Sequence, residues 1–375
     1  MANAYTPGLR VTEATILRKE RRLPLPGHVH VEVGQRVVAH DLVASTELPG
    51  NVTTVNVARA LNVPPEEIGN HMLKREGDSV EAGELIAEVK AMWGLFHATA
   101  TAPVSGTIEA MSTVTGQVLV RGEPLPVQVD AYVAGSVVEV MGDDGVVIET
   151  TCAYLQGIIG VGGEVYGPLT VIAQSPEDVL DADAISDACA GKVIVGGSLV
   201  TAAALKKAVA VRAQGIVVGG ISDQDLDEFL GYPLGVAITG SERKGITLVI
   251  TEGFGRIRMA ERSFSLLRTR QGQETSINGT TQIRAGVMRP EVIIPYAEGQ
   301  APSVAAVAAQ GGGMQIGSPI RLIRDPYFGQ LATVAALPEE LRQIETEAMV
   351  RVLVAELGDG QKVEVPRANV ELVEG

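Results

Sequence analysis

The sequence predicts a multidomain, β-rich α+β chain in three parts. Three observations carry this. A strand, glycine turn, strand phrase recurs through roughly the first 150 residues. The hydrophobic period then changes near residue 191 to strand–helix–strand alternation. After the alanine- and glycine-rich stretch AEGQAPSVAAVAAQGGG (297–313), the chain returns to short strands bounded by turn residues. The expected boundaries are 1–174, 175–296, a linker at 297–314, and 315–375.

Composition narrows the class. At 375 residues the chain has room for roughly two to four domains. Hydrophobic residues make up 46% but aromatics only 3%, so the cores are built from Val, Ile, Leu and Ala. The formal net charge of −15 repels nucleic acid and anionic membranes. Cys152 and Cys189 form no CxxC pair and sit in the apolar contexts TTCAY and DACAG, which points to core positions. No apolar run is long enough for a membrane span and the N-terminus lacks an apolar signal core, so a cytoplasmic protein is expected.

In the first part, PGHVHVEVGQRVVAHDLVAS (26–45) alternates about Gly34, with Val29, Val31 and Val33 expected on one face. EGDSVEAGELIAEV (76–89) repeats the phrase, APVSGTIEAMSTVTGQVLVRG (102–122) reads as its companion half, and AYVAGSVVEVMGDDGVVIET (131–150) repeats the rhythm again. Between the first two phrases, NVARALNVPPEEIGNHML (56–73) predicts a helical insertion, with Pro64 and Pro65 opening its second helix.

Gly77-Asp78-x-Val80-x-x-Gly83 followed by Ala102-Pro103-x-x-Gly106 resembles the biotinyl and lipoyl carrier domains, a barrel-sandwich hybrid. The resemblance implies a tight hairpin between the two halves with a lysine at its tip, about eight residues before Pro103. That position is Leu95, in the apolar stretch Trp93-Gly94-Leu95-Phe96, and the nearest lysine is Lys90 in EVKAM. No biotin or lipoate is therefore expected. Trp93, Leu95 and Phe96 become candidate interface residues, with closure of their own barrel as the alternative.

The second part reads as a small α/β domain. KVIVGG, GIVVGG, GVAITG, TLVITEGFG and PEVIIP are strands, and helices fall after Thr201, after the capping box Ser222-x-x-Asp225, and near 260–270. Gly196-Gly197 and Gly219-Gly220 end strands where phosphates often sit, but no GxGxxG is present. The run from Gly240 to Gly245 has P-loop spacing and then Ile246 where lysine is required. Residues 242–289 hold nine Lys and Arg against four Glu. Gly240, Arg243, Lys244, Gly253, Gly255, Arg256 and Arg284 are thus a candidate anion or ligand pocket, against the alternative that these arginines pair with the chain's own acids. Glu252 is the carboxylate to test there. No GxSxG is present, and His28 and His30 at i, i+2 lack a supporting acidic motif. The sequence names no catalytic residue, cofactor or metal.

In the third part, IGSPIRLIRDPYFGQLATVAALP (316–338) and RVLVAELGDGQKVEVPRANVELVEG (351–375) resemble a KOW-type SH3-like barrel, through Gly317, the Ile320-x-Leu322-Ile323 strand, Gly329 and the Ala332-Thr333-Val334 strand. Asp359-Gly360 is a hairpin signal. The resemblance implies binding of RNA or protein. Six basic against ten acidic residues in 315–375 disfavour phosphate contact, and Tyr327 and Phe328 are candidate contacts for a protein. The expected function is a non-enzymatic assembly or adaptor protein whose partner is itself, as a homo-oligomer, or another protein. The alternatives are a ligand-binding or enzymatic protein using the loops at 240–290, and a transcription- or translation-associated factor.

Overall fold

A computed structural model describes residues 9–91, 96–232, 244–281, 288–297, 299–302, 316–324, 326–327, 329–338, 341–343, 349–358 and 360–372. The N-terminal elements are β1 (Val11–Arg22), β2 (His28–Val29), β3 (Arg36–Val37), β4 (Leu42–Leu48), β5 (Val52–Asn56), α1 (Val57–Leu61), α2 (Ile68–His71), β6 (Ser79–Val80), β7 (Leu85–Ala91), β8 (Phe96–Thr101), β9 (Gly106–Ser112), β10 (Gln117–Gly122), β11 (Leu125–Asp130), β12 (Gly135–Val140) and β13 (Gly145–Gln156). The central ones are β14 (Ile159–Val161), β15 (Glu164–Val171), β16 (Val179–Leu180), β17 (Val193–Val195), β18 (Leu199–Val200), α3 (Ala202–Ala210), β19 (Gly215–Ile221), α4 (Asp223–Leu230), β20 (Thr247–Phe254), α5 (Glu261–Thr269), β21 (Glu274–Asn278) and β22 (Glu291–Pro295). Near the C-terminus lie β23 (Pro319–Leu322), β24 (Leu331–Ala336), β25 (Leu341–Gln343), β26 (Met349–Leu357), β27 (Lys362–Pro366) and β28 (Val370–Leu372). The chain is β-rich, with several curled half-barrel sheets and few helices.

The repeated phrases of the first part fold alike, at a constant offset of 43 residues. Gly34 and Gly77 both take positive φ, +87° and +91°, as their turns require. Gln35 and Asp41 accept from the backbone N–H three residues earlier, of Glu32 and Val38, at 3.0 and 2.7 Å. Asp78 and Glu84 do the same for Arg75 and Glu81, at 2.7 and 2.8 Å. The companion halves match at an offset of 29. Gly34 donates to Val137 O at 2.7 Å, and Gly77 to Ile108 O at 2.8 Å. The expected face of Val29, Val31 and Val33 breaks at its last member. Val31 is buried but Val33 is exposed, because the chain turns at Glu32–Gln35 before Val33 can rejoin a strand.

These matches define two copies, one nested in the other. In the inner copy, β7 and β8 pair from Leu85↔Thr101 to Ala91↔Phe96. The equivalent ladder of the outer copy is β4 with β11, from Leu42↔Asp130 to Leu48↔Leu125. Four residues separate the two inner strands. The outer pair is separated by residues 49–124, which hold the whole inner copy. Each copy has its own apolar cluster. Val31, Val37, Val43, Val137 and Ile148 fill the outer one. Val80, Ile86, Ile108, Val118 and Val120 fill the inner one. The expected helical insertion is α1 and α2. Val57, Leu61 and Ile68 from these helices join the inner core.

The central region is a sheet covered on both faces. β15, β17, β19 and β20 are parallel neighbours. Their residues alternate between two cores. Ile194, Ile216, Val218, Leu248 and Ile250 face α3 and α4. Val193, Val195, Val217 and Val249 face Phe264 and Leu267 of α5. Burial on both faces explains the near-continuous apolar runs. Thr201 and Ser222 cap α3 and α4, each accepting from a backbone N–H at 3.1 Å, and Gly231 ends α4 at φ +82°. The sheet continues antiparallel through β21 and β22 to β13, whose other end belongs to the outer copy. Hydrogen bonding therefore runs across residue 174, and Leu169 shares a cluster with Val193 and Ile277. The expected strand GVAITG (235–240) lies outside the described residues.

The C-terminal strands form a six-stranded antiparallel sheet, in order β25-β26-β24-β23-β28 with β27 on β26. Ile320, Leu322, Val334, Leu353, Val365 and Val370 make its core.

Candidate functional site

The first candidate is the hairpin where a carrier lysine would sit. Its tip, residues 92–95, lies outside the described residues, and Trp93 and Leu95 with it. Phe96 opens β8, opposite Ala91. Lys90 is within the ladder, opposite His97, and so precedes the turn. His97 Nε2 lies 3.3 Å from Glu88 Oε2 across the ladder.

The second candidate is the set of loops at 240–290. Gly240, Arg243 and Arg284 lie outside the described residues. Lys244, Gly253, Gly255 and Arg256 are described, and the structure separates them. Lys244 precedes β20, whereas Gly253, Gly255 and Arg256 lie at its far end. An eight-residue strand spans about 26 Å, so these residues line no common pocket. Lys244 donates to Leu230 O and stands 5.5 Å from the ring centre of Tyr232. Arg256 approaches Glu177 O at 3.5 Å. Arg258, beside it, pairs with Glu177 at 2.6 Å and Glu261 at 2.5 Å. Arg258 thus pairs with the chain's own acids, while Arg256 meets a backbone carbonyl.

The strand-end glycines serve close packing of backbone. A Cβ on Gly197 would stand 2.5 Å from Asp178 O, one on Gly219 2.4 Å from Ile257 O, and one on Gly220 2.0 Å from Gly255 O. Ile257 donates to Ser198 O and Met259 to Pro176 O, both at 3.1 Å. The carboxyl ends of parallel strands are the usual place for a ligand. Here the segments 176–178 and 255–259 occupy it.

Glu252 is not poised for solvent chemistry. Its carboxylate accepts from the Ala260 N–H at 3.0 Å, at the start of α5, and pairs with Arg321 of β23. Both side chains are 6% exposed. On β23, Ile320 and Leu322 enter the C-terminal core, and Arg321 between them points the other way, to Glu252. Sequence reasoning missed this pair because no local signal joins residues 69 positions apart.

A second polar network lies where β1, β13 and β22 meet. Lys19 Nζ reaches both Glu291 oxygens at 2.6 Å, and the Tyr132 and Tyr154 hydroxyls donate to the same carboxylate at 3.4 Å. Burial, with Glu291 beside them, pushes both tyrosines above their ordinary range. Burial also pushes the nearby Cys152 thiol up to about 12, which keeps its proton on at neutral pH. Tyr132 sits at φ +67°, its carbonyl accepting from the Ser276 hydroxyl. It backs an open cleft of about 1010 Å³ that Lys244 also lines. Arg21 in that cleft is held bidentately by Glu164 at 2.8 and 2.7 Å and stacks 5.3 Å from Tyr132. The charge it brings is already matched.

Of the remaining expectations, Cys152 and Cys189 are both buried. His30 approaches the Ser45 hydroxyl at 2.7 Å. Among the described residues no group of three or more His, Cys, Asp or Glu could hold a metal ion. No helix there is long and apolar enough to cross a membrane. Tyr327 packs half-buried against the C-terminal core, and Phe328 lies outside the described residues.

Comparison with known families places the inner copy. Residues 63–127 match the family described as biotin-requiring enzymes, the biotinyl and lipoyl domains. The match covers the second half of the helical insertion, β6 to β10 and the start of β11. The chain therefore contains a lipoyl-like barrel-sandwich module, a carrier- or adaptor-type unit. No curated protein matches the chain.

Proposed function

We propose that this chain is a non-enzymatic assembly or adaptor protein that self-associates, with its lipoyl-like modules serving as rigid binding units and not as carriers. One observation supports this above the others: neither copy offers a lysine at its hairpin tip. In the inner copy the four residues that join the paired strands in sequence are Met92-Trp93-Gly94-Leu95, and in the outer copy the corresponding place is taken by the entire inner module. On this reading Trp93, Leu95 and Phe96 belong to a contact surface, and residues 315–375 form a KOW-type SH3-like barrel that binds protein, in keeping with their acidic balance. Two buried, unpaired cysteines suit a cytoplasmic setting.

Native mass and intact chain mass, measured together, test the reading. The expected result is a defined oligomer of unmodified 39.2 kDa chains, unchanged after incubation with biotin or lipoyl ligase. A chain carrying either group on Lys90 would sink it. Ligand binding at the loops of 240–290 is the weaker reading, since the described members of that set stand at opposite ends of β20.

A further inference from the structure

A free strand edge pairs with any other strand that reaches it, so proteins guard edges with charge, proline, bulges or brevity. Among the described residues the edges of this chain are guarded, with one exception. β1, bonded only to β13, carries a register shift between Thr12 and Thr15 and charges from Arg18 to Arg22. β2, β3, β6 and β16 have two residues each, and β14, β25 and β28 have three. β11 carries Pro126 and a register shift before Asp130, and β27 carries Lys362, Glu364 and Pro366. β7 carries Glu88 and Lys90 and a register shift, and β8 packs on α1. The exception is β5, Val52-Thr53-Thr54-Val55-Asn56. It is neutral and mostly β-branched, with no proline and no shift in its pairing to β10.

The nested copy supplies the comparison. In the outer module the strand equivalent to β5 is the end of β1. Arg18 to Arg22 pair with Glu149 to Gly145 as Val52 to Asn56 pair with Arg121 to Gln117. The outer edge reads Arg-Lys-Glu-Arg-Arg and the inner edge Val-Thr-Thr-Val-Asn, at the same place in the same architecture. One edge is guarded at every position and its counterpart at none.

We propose that β5 is a self-association edge, pairing antiparallel with β5 of a second copy of this chain. The inference rests on the self-association proposed above and names its surface. The pairing geometry allows it. Asn51 O accepts from Gly122 N at 2.9 Å, which makes Asn51, Thr53 and Val55 the residues bonded to β10. Val52 and Thr54 therefore turn their N–H and C=O outward, and Asn56 its N–H, its carbonyl being the one that opens the bonding of α1, which it caps. A two-fold axis at Thr54 sets Thr54 opposite Thr54 and Val52 opposite Asn56, each an outward residue facing an outward residue. Threonine pairs across strands are favourable. A dyad here joins two four-stranded sheets into one of eight. Chains of net charge −15 repel at long range, and a neutral edge is where two copies can meet.

The test is sedimentation velocity of the full chain over a wide concentration range, for wild type, Thr54→Lys and Thr54→Pro. Thr54 bonds outward, so neither change removes a bond to β10. A dimeric wild type, with at least tenfold weaker association in both variants and unchanged melting, is the expected result. Variants that associate as the wild type does overturn the edge while leaving self-association standing through another surface. A wild type monomeric throughout overturns both. Should Thr54→Pro fail to fold, amide exchange decides. Protection of Thr54 N–H that rises with protein concentration supports the pairing. Protection that appears only on adding a different protein overturns the second copy as occupant.

Discussion

The Glu252–Arg321 pair lets the junction between the central sheet and the C-terminal sheet be tested with one substitution. Both side chains are 6% exposed, and the carboxylate also holds the Ala260 N–H. Arg321→Met fills similar volume and leaves Glu252 buried without its counter-ion. Removing one partner of a buried pair costs about 3–5 kcal/mol. At 1.4 kcal/mol per factor of ten, that is roughly a hundredfold to several thousandfold in the unfolding equilibrium. Glu252→Leu leaves the guanidinium stranded in turn, with its Nη1 already lacking a partner among the described residues. The double variant Glu252→Leu/Arg321→Met removes both charges and should lie far closer to wild type, short by about the 1 kcal/mol of the lost Ala260 hydrogen bond. Urea denaturation followed by circular dichroism measures all four proteins, and their cycle isolates the coupling. A cost below about 1 kcal/mol for Arg321→Met, the worth of an exposed bridge, would refute the assignment of this pair as a buried tie between the two sheets.

Gly220→Ala should destabilise by about 3 kcal/mol, the upper end of overpacking costs, because its Cβ meets Gly255 O at 2.0 Å. Thermal melting checks this, and an unchanged midpoint would show the strand end to be open. Stability should fall as pH rises from 9. The Cys152 thiol, held at about 12, keeps its proton where the unfolded thiol, at 9.0, has lost it. The unfolded chain then binds fewer protons, and each pH unit through that window costs about 1.4 kcal/mol. Urea midpoints between pH 9 and 10 should fall less steeply in Cys152→Ala than in the wild type, the rest of the slope coming from Tyr132 and Tyr154, whose ordinary value of 10.0 meets the same window and which the fold also raises. An equal slope in both would remove Cys152 from the account.

What was legible in the sequence was local. The turn glycines Gly34 and Gly77, the caps Thr201 and Ser222, and the inner lipoyl-like phrase all announce themselves within a few residues. So did the two-faced apolar runs of the central strands. The nesting was hidden because periodicity reports a strand but not its partner. Phrases 43 residues apart look like tandem repeats until the ladder of Leu48 with Leu125 shows one copy closing around the other. The candidate pocket failed for a related reason. A charge count over 242–289 treats neighbours in sequence as neighbours in space, and the extended β20 sets Lys244 and Arg256 at opposite ends. Glu252 was singled out from sequence as a carboxylate among turn glycines. Its partner lies in another sheet, which no window of the sequence spans.

The join between the two modules bears on how the inner one is used. A carrier hairpin must bring its tip to distant sites, which favours freedom at its base. Here the base is tied down on both strands. The β4–β11 ladder runs to Leu48↔Leu125, and Gly122 N then donates to Asn51 O at 2.9 Å. Arg121 reaches across to Gly50 O at 3.1 Å. A Cβ on Gly50 would stand 2.0 Å from Gly122 O, so the entering and leaving chains touch backbone to backbone. Closely spaced ends are what allow one domain to be set into another, and a stem hydrogen-bonded on both sides of the join leaves no hinge in it. The inner module is thereby held in fixed orientation on the outer one, and β5, the strand that follows the join, is presented as a fixed edge. Fixed presentation lowers the ordering cost of association. That advantage serves a protein that assembles and would hinder one that swings a cofactor.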